Sequence, residues 1–143
     1  NRVIEELIVQ TKIRPQKEIN SNYMTLTWDD LRALNNNNLF TIGGHTHTHA
    51  ILSSLSDKEL NYQISHCIKE ISEQLDINVK HFSYPEGQEH HFNSEVIAVL
   101  KKENIICSPS AIYGYNDFSE DLFHLKRIMV GFDGAVFPHD GFI

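Results

Sequence analysis

Leu39-Phe40-Thr41-Ile42-Gly43-Gly44-His45-Thr46-His47-Thr48-His49 and, a few residues on, Ser56-Asp57-Lys58-Glu59-Leu60 carry the reading that decides the fold. Residues 39–42 predict a short strand, which the two glycines stop. Ser56 and Glu59 have the spacing of a capping box, in which hydroxyl and carboxylate satisfy each other's backbone donors. Behind them Leu60, Ile64, Ile68, Ile71 and Leu75 recur at helical spacing. That stripe predicts one amphipathic helix running to about residue 75.

The alternation continues outward on the carboxyl side. Residues 79–84 predict a second strand, closed by Pro85 and Gly87. Asn93 or Ser94 caps a helix that carries Val96, Ile97 and Leu100 to about Glu103. Residues 105–107 predict a third strand, 108–121 a loop rich in Gly, Asn and Asp, and 122–130 a fourth extended segment. On the amino side, Val3, Ile4, Leu7 and Ile8 predict a helix over 3–10. Residues 11–24 read as a polar connection, and Thr27 caps a short helix with Asp30 three residues on. The asparagines at 35–38 end it. Strands alternating with helices at this spacing predict parallel strands with crossover helices, an α/β architecture. In such folds functional groups gather at the carboxyl ends of strands. Both His45 and the Tyr84-Pro85-Glu86-Gly87 stretch sit just past one.

The chain has 143 residues, 41% of them hydrophobic, enough for one domain with a buried core. Nineteen acidic against twelve basic residues give a formal charge of −7. Nucleic acids and anionic membrane surfaces want a cationic face, so neither is expected as a partner. No apolar run approaches the roughly 20 residues of a bilayer span. Two cysteines, Cys67 and Cys107, do not make a disulfide framework. The chain starts Asn1-Arg2-Val3, without an initiator Met or a signal-peptide pattern. We therefore expect a piece of a longer protein, with any targeting signals upstream.

Nine histidines are many for this length, and three alternate at 45, 47 and 49. In an extended segment all three imidazoles share one face. In a helical start His45 and His49 come together and His47 points away. Either geometry offers two imidazoles to one metal ion, and such an ion polarises a carbonyl and lowers the pKa of its bound water to about 7. Two protein ligands hold a metal weakly, so a third donor is expected.

The run from Thr41 to Ser56 resembles the second motif of the polysaccharide deacetylase (NodB-homology) family, His-Ser/Thr-x-x-His followed by a Leu-containing entry to a helix. The stretch from Leu26 through Arg32 resembles the segment that commonly precedes it. Phe82-Ser83-Tyr84-Pro85-Glu86-Gly87 resembles the third motif, an aromatic-Pro-x-Gly loop that walls the substrate groove. Gly114-Tyr115-Asn116 and the stretch from Leu122 to Ile128 resemble a later strand with a Leu-x-Arg-Ile pattern. The resemblance covers about 25–130.

It implies a distorted (β/α) barrel, present here only as a truncated part. Residues 1–24 would be an amino-terminal helix and connection, and 25–143 the carboxy-terminal part of the catalytic domain. It implies metal-dependent removal of N- or O-acetyl groups from a polysaccharide, with zinc as the expected ion. His45 and His49 would be the imidazole ligands, with the Thr46 hydroxyl beneath them, while His47 falls on a variable position. Tyr84, Pro85 and Glu86 would contact substrate, and the Glu86 N–H would serve the oxyanion. His124 is the expected general acid and His139 its rival, while His66, His81, His90 and His91 read as solvent-exposed. Arg127 reads as an ion-pair partner.

The pattern also departs from the family. Thr27-Trp28-Asp29-Asp30 lacks the glycine and strand context of the family's first motif, which supplies a base and a carboxylate ligand. Asp29 and Asp30 therefore read as helix-capping residues, and the catalytic carboxylates are expected upstream. The family's third-motif Arg aligns with Ser83 and its Tyr with Glu86. The rival reading is a degenerate member that binds sugar or metal without turnover. A structural zinc module is weaker, because no Cys-x-x-Cys accompanies the histidines. An opened barrel would expose strand edges and favour homo-oligomers. A cell-envelope or extracytoplasmic location follows from the family alone.

Overall fold

In the computed structural model, which describes residues 2–12, 24–130 and the short strand Val136–Phe137, parallel pairing links the segments expected as strands one bridge at a time. The Gly44 N–H donates to the His81 carbonyl at 2.9 Å, and the Ser83 N–H returns to the Gly44 carbonyl at 2.9 Å. On the other side of that segment, the Phe82 N–H donates to Cys107 O at 3.0 Å and the Ile106 N–H to Lys80 O at 2.9 Å. Gly44 thus pairs in parallel with Phe82, His81 with Cys107, and Tyr113 with Arg127. Bonds from Ser108 N to Leu122 O and from Ser110 N to Leu125 O carry the array on to the next segment.

Four α-helices accompany this pairing among the described residues: α1 (Arg2–Thr11), α2 (Trp28–Asn35), α3 (Asp57–Leu75) and α4 (Ser94–Lys102). Helices α3 and α4 are the crossovers that a parallel arrangement requires. The strands β1 (Met129–Val130) and β2 (Val136–Phe137) pair antiparallel at the carboxyl side. No described helix is long and apolar enough to cross a membrane.

Each α3 boundary has a local cause. Ser56 Oγ accepts from the Glu59 amide, and the Glu59 carboxylate accepts from the Ser56 N–H and hydroxyl. Those hydrogen bonds hold the Glu59 carboxyl below its usual range. The helix ends where Asp76 turns left-handed at φ 53°. Its stripe Leu60, Ile64, Cys67 and Ile68 is buried, as are Val79, Phe82 and Tyr84 of the adjoining segment and Val96 and Leu100 of α4. Full burial of one such aliphatic side chain contributes about 1.5–3 kcal/mol, so this face dominates the helix's stability. Replacing Ser56 by Ala is expected to cost about 1 kcal/mol, read as a lower urea midpoint with an unchanged slope.

Two sequence expectations change. Residues 39–42 form no ladder: the Leu39 amide is taken by Asn37 Oδ1 and the Phe40 amide by Asn37 O. The asparagine run captures the backbone donors locally, and parallel pairing begins only at Gly44. The segment 122–130 likewise starts as a turn, with the Phe123 amide donating to Asp121 Oδ1, and becomes extended nearer Arg127. The polar connection at 13–23 lies outside the described residues.

Candidate metal centre and its surroundings

The histidine loop leaves the parallel array at Gly44, whose neighbourhood admits no side chain: a Cβ there would lie 2.7 Å from the Phe82 ring. Immediately beyond, Thr46 at φ 64° and His49 at φ 59° are both left-handed, and neither is glycine. Non-glycine residues in this region cost energy and collect at functional sites. The two turns decide between the alternatives left open by spacing. The His45 and His49 rings meet at 4.8 Å between centroids, edge to face, while His47 is carried to α3.

His45 Nδ1 lies 2.7 Å from the Ser83 carbonyl. A carbonyl only accepts, so Nδ1 carries the proton and Nε2 is left as the free lone pair. This carbonyl–imidazole contact is the arrangement that orients metal-ligating histidines. Both rings reach solvent, whereas Thr46 beneath them is 9% exposed and its Oγ1 has no partner among the described residues. Buried Cys67 underlies the loop, and burial pushes its thiol up. Cys67 and Cys107 are both free thiols. His45 and His81 line a cavity of about 510 Å³ with Ser83, Phe82 and Cys107.

Metal chemistry fits the pair: two adjacent imidazoles, one with its tautomer fixed, and a polar atom poised below. No described carboxylate completes a three-residue group with them. Asp30 is engaged at the α2 cap, where it accepts from the Thr27 N–H at 2.8 Å and from the Thr27 hydroxyl at 2.6 Å. Asp29 pairs with Arg32 at 2.7 Å. The capping reading holds for Asp30, whereas Asp29 sits in the first turn of α2 and pairs with the Arg32 side chain instead of a backbone amide.

Of the expected substrate contacts, only Glu86 is open. Tyr84 is 1% exposed, stacks on Phe92 at 4.0 Å and donates its hydroxyl to Phe123 O at 3.0 Å. Burial pushes that hydroxyl up to about 12. Pro85 is buried beside it. Tyr84 and Pro85 are therefore core residues rather than groove walls, because Phe82 and Tyr84 join the core cluster with Ile64 of α3 and Val96 of α4. Glu86 is exposed at φ 60°, and its amide donates to nothing among the described residues. The loop is held by Gly87, which accepts from the Ala111 amide at 2.8 Å.

His124 stands in a turn rather than in a strand. Its Nδ1 lies 2.8 Å from Asp121 Oδ2, and its ring leans on Phe92 at 5.5 Å. The Phe123 amide, and then His124, hold the Asp121 carboxyl below its usual range. His124 lines a cavity of about 350 Å³ with Glu89, Phe92 and Ile112, distinct from the one beside His45. His139 lies outside the described residues. Arg127 donates to the Ser110 carbonyl and makes no ion pair among the described residues.

The sequence reading passed over three contributors. Ser83 acts through its carbonyl, which residue identity does not reveal. Gln63 straps the loop to α3: its Oε1 accepts from the His47 and Thr48 amides at 3.0 and 2.9 Å, and its Nε2 donates to Thr48 Oγ1 at 2.9 Å. His66 is half-buried against His47 rather than solvent-exposed, and the i, i+4 spacing of His66 and Glu70 was the available signal.

Parallel pairing, crossover helices and an imidazole pair on a strained exit loop define an α/β domain with a histidine-bearing loop where the parallel pairing ends. The sequence model of the polysaccharide deacetylase family matches residues 7–106, and the chain belongs to that family. Solved structures agree on the fold. The Streptococcus pyogenes deacetylase PplD in complex with acetate is similar over 75% of this chain at TM-score 0.66 and 18% identity. The BpsB deacetylase domain from Bordetella bronchiseptica is similar over 80% at TM-score 0.65 and 16% identity. IcaB from Ammonifex degensii is similar over 92% at TM-score 0.65 and 13% identity. These are (β/α) barrel proteins, and the chain spans 46%, 53% and 63% of their respective lengths. Sequence comparison with curated proteins gives no match.

Proposed function

We propose that this chain is part of a distorted (β/α) barrel that removes acetyl groups from an acetylated polysaccharide with the help of a divalent ion, most simply zinc. The family supports a carbohydrate deacetylase. The observation that carries the metal is the 4.8 Å approach of His45 and His49, with His45 Nδ1 held by Ser83. When bound, the ion supplies Lewis acidity toward the acetyl carbonyl and a water of lowered pKa.

The chain's own groups do the rest. His45 and His49 offer their free ring nitrogens, and the Ser83 carbonyl keeps the first of them correctly oriented. The unpaired Glu86 N–H is a main-chain donor for the oxygen that becomes negative as water adds to the acyl carbon. Hydrolysis then breaks the bond to the sugar nitrogen or oxygen, which takes a proton, and acetate leaves. The base and the carboxylate ligand are assigned to parts of the protein outside the described residues, since Asp29 and Asp30 are occupied at α2.

Acetate release from acetylated chitooligosaccharide by the full-length protein tests this. Treatment with a chelator is expected to lower the rate at least about 100-fold, and zinc to restore it. Unchanged turnover in the chelated, metal-free protein removes the metal-dependent reading. Zinc uptake without any acetate release supports the non-catalytic alternative.

A further inference from the structure

Among the described residues, the one group of three metal-ligating side chains whose atoms lie within 4.8 Å of one another is not at His45 and His49. It is His47, His66 and Glu70. We propose that these three residues form a second divalent-cation site, of the zinc class, that clamps the histidine loop to helix α3.

The geometry is already close to a coordination sphere. The His47 and His66 rings stand 4.4 Å apart between centroids at 90°, and His47 Nδ1 is 3.6 Å from Glu70 Oε2. Ligands about 2.0–2.2 Å from a tetrahedral ion lie about 3.4 Å apart, so the widest pair, within 4.8 Å, needs to close by up to about 1.4 Å. Small changes of side-chain torsion supply that, because all three side chains are partly open to solvent. Two imidazoles and one carboxylate leave a fourth position for water, as in open zinc sites. Imidazole nitrogen with one carboxylate selects zinc, copper or nickel over magnesium or calcium.

The framework is fixed from both sides. His66 and Glu70 are one turn apart on α3 and present to the same face. His47 is brought to them by Gln63, which binds the amides of His47 and Thr48. Tyr62 stacks on His66 at 5.0 Å and meets His47 edge-on at 5.8 Å, which limits both rings to few orientations. A pre-ordered donor set loses less entropy on binding. The consequence for the neighbouring site is mechanical. His47 lies between His45 and His49 in the chain, so a cation on its ring fixes the loop that presents the other two.

The test is a zinc titration with metal analysis after dialysis, on the full-length protein. The double variant His45→Ala/His49→Asn is expected to retain one zinc per chain at the second site. Adding His66→Ala to it should remove that ion, or weaken its binding at least about 100-fold, since loss of even an outer partner commonly costs 10–100-fold. Glu70→Gln in the otherwise native protein should likewise lose one ion while leaving His45 and His49 intact. In proton NMR, zinc should shift the ring signals of His47 and His66 in the double variant. A double variant that binds no zinc overturns the proposal, as does an unchanged stoichiometry and affinity in Glu70→Gln. Neither result decides the deacetylase reading, which is tested by acetate release from the native protein.

Discussion

His49→Asn and His45→Ala in the full-length protein are each expected to lower acetate release at least about 100-fold, with the loss in kcat/KM and one zinc fewer per chain. The size follows from the donor count. The described site contributes two imidazoles 4.8 Å apart, so either substitution removes one of the two nitrogen donors of a three-ligand set. Folding should scarcely change, because both rings are exposed. Surface substitutions usually stay within about 0.5 kcal/mol. The choice of replacement matters at 49. The backbone there is left-handed at φ 59°, a conformation Asn tolerates better than Ala, so His49→Asn tests the ring without adding backbone strain. His45 needs no such care, and its loss also frees the Ser83 carbonyl to solvent. Acetate release is checked beside urea midpoints. Retained turnover in both well-folded variants would sink the metal assignment at this pair.

Helix α3 was legible from Ser56 to Leu75 because one capping box and one five-residue stripe agree, and local and global preferences there coincide. The Asn93 cap of α4 was legible for the same reason, with Asn93 Oδ1 accepting from Val96 N at 3.0 Å. The parallel order was legible from alternation, and the bridges Gly44–Phe82 and His81–Cys107 fall inside or next to the expected strands. What sequence could not show was competition for backbone donors. Asn37 takes the amides that would have extended a strand at Leu39 and Phe40. Nor could it show which way an aromatic in a strand faces. Alternation in Phe82-Ser83-Tyr84 puts the two aromatics on one face, but the sequence does not say whether that face is core or groove. At the histidine loop, spacing placed His45 and His49 as partners but said nothing of His47. Its environment is made by Gln63 and His66, 16 and 19 residues further on.

Tyr84→Ala is expected to destabilise the fold by about 3–5 kcal/mol, the range for emptying a buried aromatic site. Domains of this size are stable by only about 5–15 kcal/mol, so much of the chain would be unfolded. A groove-wall tyrosine would lose substrate affinity instead and leave the urea midpoint in place. The ring is 1% exposed and stacked at 4.0 Å on Phe92, and its removal strips contacts from Phe82 and Phe92 together. Tyr84→Phe keeps the ring and removes only the bond to Phe123 O, so it should fold at a cost of about 1 kcal/mol near pH 7. The two proteins then diverge in alkali. A tyrosine ionises near pH 10 in the unfolded chain, whereas burial pushes Tyr84 up to about 12 in the fold. A raised folded value means its contribution is fully present below pH 10. It is lost as the pH climbs from 10 toward 12, where the unfolded chain sheds a proton that the folded chain still holds. The stability gap between native and Tyr84→Phe proteins should therefore narrow and then reverse across that window. Urea midpoints of both proteins at about pH 8 and pH 11 decide it, and a gap that stays constant would mean that Tyr84 reaches solvent.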